Sequence, residues 1–95
     1  MVVNSDDMSL KDKTILITGA ASGLGKAWAQ KFNDEGSKVF ACDSEEAGLL
    51  ELEKLGITVS LVDVSSSEEI SSFIHAAYDK TGSLDILFNN AGMGF

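Results

Sequence analysis

The chain has 95 residues and a mass of 10.1 kDa, short of the ~100–200 residues of an ordinary domain, which excludes a two-domain enzyme. At 44% hydrophobic and 23% charged residues it is too apolar for the low-hydrophobicity, high-charge regime of disorder, and it should build a core. Seven basic residues, all of them Lys, against fifteen Asp plus Glu give a net charge of −8, which argues against nucleic-acid partners, whose phosphates are normally neutralised by Lys and Arg.

Residues 1–12 are polar and acidic without any period and read as a flexible lead-in. They lack the cationic start and apolar centre of a signal peptide, and no stretch reaches the ~18 consecutive apolar residues of a membrane span. The expectation is a cytoplasmic protein with no membrane partner. From residue 13 onward, short apolar runs alternate with helical patterns. The runs 14–18, 38–42, 58–62 and 84–89 each suit a buried strand. Between them, residues 23–35 place Leu24, Ala27, Trp28 and Phe32 on one helical face before Gly36, a residue able to end a helix at positive φ. Residues 45–55 follow Ser44, carry Glu45 and Glu46 in the first turn and stop at Gly56, an order that the helix dipole favours. Residues 67–81 start in a Ser/Glu-rich stretch, 65–69, that offers a capping box. They align Ile70, Phe73, Ile74, Ala77 and Tyr78 ahead of Gly82, so Tyr78 is expected in the core.

Strand and helix alternating without a hairpin signal predict an α/β fold. The expected form is a doubly wound, Rossmann-like parallel sheet of four strands in the order 3-2-1-4, spanning 13–95.

The first predicted strand runs directly into Thr18-Gly-Ala-Ala-Ser-Gly-Leu-Gly25, and the first helix opens inside that turn. A helix start exposes unpaired N–H groups and about half a positive charge, and glycine lets a diphosphate approach them without a Cβ in the way. An acidic chain can therefore still hold one at this spot. The alternative is an ordinary tight turn, which would need one glycine and hardly three. Asp43 ends the second predicted strand, near the ~20-residue offset at which a dinucleotide site sets an acid on the adenosine ribose. A 2′-phosphate there would meet a like charge, at a cost of about 1 to 4 kcal/mol at 4 Å. Ser22 stands in the turn where a basic residue could have reached such a phosphate, and the chain has no Arg, so NAD is preferred over NADP. Asp43 can equally serve as a turn acid capping the next helix, and the two roles are compatible.

Together with Asp63-Val64 and Asn89-Asn90-Ala91-Gly92, these residues resemble the short-chain dehydrogenase/reductase family, in the branch with the TGxxxGxG spacing. The resemblance covers residues 10–95, less than half of a usual member. It implies that the turn from Gly19 through Ser22, Gly23 and Leu24 to Gly25 holds the diphosphate, with Leu24 giving a backbone group. Asp43 would take the ribose, and Asp63 and the Val64 amide the adenine edge. Asn90, Ala91 and Gly92 would line the cofactor towards its nicotinamide half, and Asn89 would brace the sheet. It further implies an NAD-dependent oxidoreductase acting on a small-molecule alcohol or carbonyl, homo-oligomeric in its full-length form. The family's catalytic Ser and Tyr-x-x-x-Lys are not in this sequence: Tyr78 is the one Tyr, and Gly82 stands four residues after it. No catalytic residue is therefore assigned, and this chain alone is expected to be inactive.

Cys42 reads as a small buried filler and His75 as a surface residue, and one of each makes no metal site. Two other readings stay open: a non-catalytic short protein that binds NAD or a partner subunit, and a Rossmann-like domain for another adenosine ligand.

Overall fold

A computed structural model describes residues 10–90. The β-branched and apolar run 14–18 forms β1 (Thr14–Thr18), in which all five residues are buried. It is followed by α1 (Gly23–Asp34), β2 (Lys38–Asp43), α2 (Glu46–Glu53), β3 (Thr58–Leu61), α3 (Ser67–Thr81) and β4 (Ile86–Asn89). The strands pair in parallel in the order β3-β2-β1-β4, as the alternation of elements predicts. β1 and β2 are aligned from Thr14 opposite Lys38 to Thr18 opposite Cys42, so the glycine turn and Asp43 leave the sheet at the same edge.

Alternate strand residues feed two cores, as the period of two requires. Ile15, Ile17, Val39 and Ala41 face α1 and α2, where Ala29, Phe32, Leu52 and Ile57 close the larger cluster. Leu16, Phe40 and Cys42 face α3, which contributes Phe73 and Ala77. Trp28 stacks on Phe32 and on Phe88, and those two meet tilted, at centroid distances of 5.3–5.6 Å, sealing the α1 side of β4. On the α3 side of the same strand, Leu84 and Leu87 are exposed. They border a hollow of about 260 Å³ with Leu16, Ile74, Asp85 and Ile86.

Several boundaries and faces differ from the sequence reading. Leu10 packs against the larger core, its carbonyl accepts from Ser37 Oγ at 2.7 Å, and the Asp12 amide donates to the Gly36 carbonyl. The fold is thus engaged three residues before position 13. β4 begins at Ile86 rather than Leu84, because Asp85 Oδ2 accepts from the Thr14 amide at 2.8 Å and takes the place of a ladder bond. The buried face of α1 is Gly25, Ala29 and Phe32, so Leu24 is 63% exposed. Tyr78 is 51% exposed, not core: the stripe of α3 runs through Phe73 and Ala77, and Tyr78 falls on its flank. The start of α3 is half a capping box. Ser66 accepts from the Glu69 amide, but Glu69 Oε1 accepts from the Asp63 amide at 2.9 Å instead of returning to Ser66.

Candidate functional site

The turn between β1 and α1 takes its shape from three glycines with different duties. Gly19 (φ 69°) and Gly23 (φ 59°) adopt the left-handed conformation that side chains disfavour. Gly25 has ordinary φ but no room: a Cβ there would stand 2.3 Å from the Gly19 carbonyl oxygen and 2.9 Å from Asn90 Nδ2. A Cβ on Gly23, by contrast, would meet nothing within 4 Å among the described residues. The turn is therefore packed tightly beneath Gly25 and open in front of Gly23.

Among the described residues no side chain caps the helix that starts here. Ser22 occupies the cap position in extended conformation without a side-chain bond, and the first turn of α1 contains no acidic residue. α3, in contrast, has Ser66 as a cap and Glu68 and Glu69 behind it, and α2 has Glu46. The first N–H groups of α1 and the positive end of its dipole thus face a glycine-lined surface where an anion can supply the missing acceptors.

Asp43 stands beside this turn, half-buried at the end of β2. Its Oδ2 accepts from the Ala21 amide at 2.9 Å and its Oδ1 from the Glu45 amide at 3.0 Å. It braces the glycine turn and holds the amide of Glu45, the residue before α2, a turn role rather than a cap on the helix's own first amides, and each oxygen keeps a further lone pair. Cys42, fully buried just before it, is pushed up to about 12 by burial, with the Asp43 charge adding to the effect.

On the other side, Asn90 Nδ2 donates to the Gly19 carbonyl at 3.1 Å, tying the end of β4 to the turn. Thr18 Oγ1 donates to Asn89 Oδ1 at 2.8 Å, so Asn89 has the bracing position expected of it. Leu24, Gly25, Trp28, Phe88, Asn89 and Asn90 border a hollow of about 190 Å³ with Ile17. Asn89 also borders a second hollow, of about 430 Å³, whose wall includes Val64 and Ser65. Asp63 is exposed, and its carboxyl is held below the usual range by hydrogen bonds from the Ser65 hydroxyl and amide. It makes no bond to the glycine turn among those described; the link between β3 and the site runs through the Val62 amide and the Asp43 carbonyl. Ala91 and Gly92 lie outside the described residues.

Gly19, Ser22, Gly23, Leu24, Gly25, Asp43 and Asn90 are thus gathered at one end of β1, β2 and β4, with Asp63 and Val64 at the corresponding end of β3. The sequence reading missed three participants. Ala21 offers the amide that Asp43 holds, Thr18 fixes Asn89, and Gly48 in α2 lies against Ala21. The last had a visible signal, since a glycine inside a helical pattern is costly and asks for a packing reason.

Among the described residues no group of three His, Cys, Asp or Glu side chains could hold a metal. No described helix is long and apolar enough to cross a membrane.

Comparison with known proteins gives this arrangement a family. The family described as short chain dehydrogenase matches residues 13–95. The short-chain dehydrogenase reductase ATA1 of Arabidopsis thaliana is 37% identical over 90 residues, covering 94% of this chain and 33% of that protein. Dehydrogenase/reductase SDR family member 6 of Rattus norvegicus is 42% identical over 84 residues, covering 87% and 33%. Among solved structures, 3-ketoacyl-(acyl-carrier-protein) reductase from Brucella melitensis, complexed with NADH, superposes with a TM-score of 0.76 at 35% identity, covering 83% of this chain and 34% of that one. A short-chain dehydrogenase/reductase from Burkholderia phymatum, in complex with NAD, gives 0.77 at 28% identity, covering 83% and 30%. The chain spans about a third of the length of these relatives. It belongs to the short-chain dehydrogenase family and corresponds to the N-terminal, Rossmann-fold part of its members.

Proposed function

We propose that this chain binds NAD in preference to NADP and forms the coenzyme-holding part of an oxidoreductase that acts on an alcohol or carbonyl group of a small molecule. The observation that carries this reading is the uncapped start of α1, opening on Gly19, Gly23 and Gly25 with Asp43 hydrogen-bonded to the same turn. The open space before Gly23 fits a diphosphate, because the glycine leaves unfilled the volume that a Cβ would occupy. The coenzyme complexes of the Brucella and Burkholderia relatives support the same ligand class.

In this reading the amides of Gly23, Leu24 and Gly25 hold the diphosphate, and Ser22 rims the turn. Asp43 accepts from the adenosine ribose with the lone pairs that Ala21 and Glu45 leave free, and its charge opposes a 2′-phosphate. Asp63 and Val64 flank the adenine side. Asn90, followed in sequence by Ala91 and Gly92, borders the path towards the nicotinamide. The bound coenzyme supplies hydride transfer, while this chain's residues supply binding and orientation. Proton transfer falls to the Ser and Tyr-x-x-x-Lys of the longer protein, which is read as a homo-oligomer.

Calorimetry of the chain with NAD and with NADP tests the proposal. Tighter binding of NAD is expected; equal or tighter binding of NADP would overturn the role given to Asp43.

A further inference from the structure

Gly48 is buried in the first turn of α2, ahead of Leu49 and Leu52, which fasten that helix to the sheet. Glycine is among the poorest helix formers, so its place there asks for a reason. A Cβ on Gly48 would stand 1.9 Å from the Ala21 carbonyl oxygen, 2.6 Å from the Ala21 carbonyl carbon and 2.8 Å from the Ala21 Cα. All three atoms are backbone, and ordinary contact begins at 3.4 Å, so either α2 or the glycine turn would have to retreat by about 1.5 Å.

Neither can retreat without disturbing Asp43. Its Oδ2 holds the Ala21 amide and its Oδ1 holds the Glu45 amide at the start of α2, so one carboxylate spans the two segments that Gly48 allows to touch. The Ala20 amide, bonded to the Cys42 carbonyl at 3.1 Å, pins the turn to β2 as well. Ala20 and Ala21 are 0% and 3% exposed. Lys26 of α1 pairs with Glu51 of α2 and closes the two helices over this contact.

We propose that Gly48 is a positioning residue for coenzyme selection: by letting α2 rest on the Ala21 peptide, it keeps both donors on Asp43 and so fixes the carboxylate that separates NAD from NADP. This inference rests on the dinucleotide reading above. A methyl group at position 48 prises Ala21 and Glu45 apart, and Asp43 loses one of its two anchors. A displaced turn weakens both coenzymes, whereas a carboxylate that has lost its aim weakens NAD alone.

The test is the ratio of NAD to NADP affinity in the chain carrying Gly48→Ala, measured by calorimetry beside the unmodified chain and Gly56→Ala. Gly56 lies beyond the other end of α2 at φ +91°, with nothing within 4 Å of its would-be Cβ. Alanine there strains the backbone without touching the site, which makes it a control for general loss of stability. The expected result is a fall of roughly ten-fold in the ratio for Gly48→Ala, equivalent to about 1.4 kcal/mol of differential binding, and no change for Gly56→Ala. Glu45→Pro deletes the amide that reaches Asp43 Oδ1 and sets a ring carbon against that oxygen, leaving Gly48 unchanged, and is read in the same way if Gly48→Ala does not melt cooperatively. A ratio equal to that of the unmodified chain in folded Gly48→Ala, or in Glu45→Pro, overturns the inference and leaves the dinucleotide reading standing. Failure of the unmodified chain to take up NAD would overturn both.

Discussion

Asn90 and Gly19 are 71 positions apart in sequence, yet the amide of one donates to the carbonyl of the other at 3.1 Å. That bond joins the residue after β4 to the start of the glycine turn, so the turn is set from outside its own segment. Removing the donor with Asn90→Ala leaves a half-buried carbonyl to water and should cost about 1 kcal/mol in urea denaturation. Asn90→Asp should cost more, because it sets a carboxylate oxygen against the carbonyl and adds negative charge beside the proposed diphosphate. Equal midpoints for the two variants would remove the bond from the account.

Gly23 and Gly25 separate stability from binding. Gly25→Ala drives a Cβ to 2.3 Å from the Gly19 carbonyl oxygen and should destabilise the fold by about 1–3 kcal/mol, the usual scale of overpacking. Gly23→Ala meets no atom of the described residues within 4 Å and has only its positive φ to accommodate, which costs about 1–2 kcal/mol. Its methyl group, however, enters the space assigned to the diphosphate. The expected pattern is a small stability change with a loss of NAD binding for Gly23→Ala, and a large stability change for Gly25→Ala. Calorimetry on a Gly23→Ala chain that melts normally and binds NAD undiminished would contradict the placement of the diphosphate.

Asp43→Asn keeps the shape of the side chain and one acceptor, but removes the charge. It should weaken NAD and at the same time relieve the repulsion of a 2′-phosphate, which at 4 Å amounts to about 1 to 4 kcal/mol. NADP affinity is therefore expected to rise roughly ten-fold relative to NAD, an outcome read directly by titration with the two coenzymes. Stability should fall as well, since Asn cannot hold both Ala21 and Glu45 as acceptor on each side. An unchanged coenzyme ratio would show that the carboxylate serves the turn alone.

The order of strands and the gathering of the glycine turn with Asp43 were legible because both depend on local patterns: apolar runs of strand length, turn glycines, and the offset between them. Helix α3 is bounded in the structure as the capping residues and Gly82 predict. What escaped depends on tertiary contacts. Tyr78 follows the apolar stripe by spacing, but the buried face of α3 runs through Phe73 and Ala77 and leaves it in solvent. Leu24 lost its buried place to Gly25, which sits where the helix crosses the turn too closely for any side chain. The Ala21 amide is a backbone relation that no side-chain pattern records, and Gly48 signals a packing reason by standing inside a helical pattern without saying which segment it meets. The sequence allows Asp43 both a ligand and a turn role before α2, and its hold on Glu45 fits the second, whereas its bond to the Ala21 amide depends on the turn lying beside the end of β2.

Cys42 provides a test of the core beneath the site. The thiol is fully buried next to Asp43, and burial first, then the neighbouring charge, pushes it up from an ordinary value near 9 to about 12. A thiol at that value stays protonated at pH 8, so the folded chain should resist iodoacetamide there and react only on unfolding. The same shift fixes the sign of a pH effect. The unfolded chain releases the proton near pH 9 and the folded chain not until about 12, so the unfolded state holds fewer protons in this window and stability falls as pH rises through it. Below pH 9 the contribution is constant. Other groups also titrate in alkali, and Cys42→Ala isolates the thiol. The stability difference between the unmodified chain and this variant should be flat from pH 6 to 8 and shrink steadily above pH 9. A difference that stays level up to pH 11, or rapid alkylation of the folded chain at pH 8, would mean that Cys42 is not enclosed between β2 and α3.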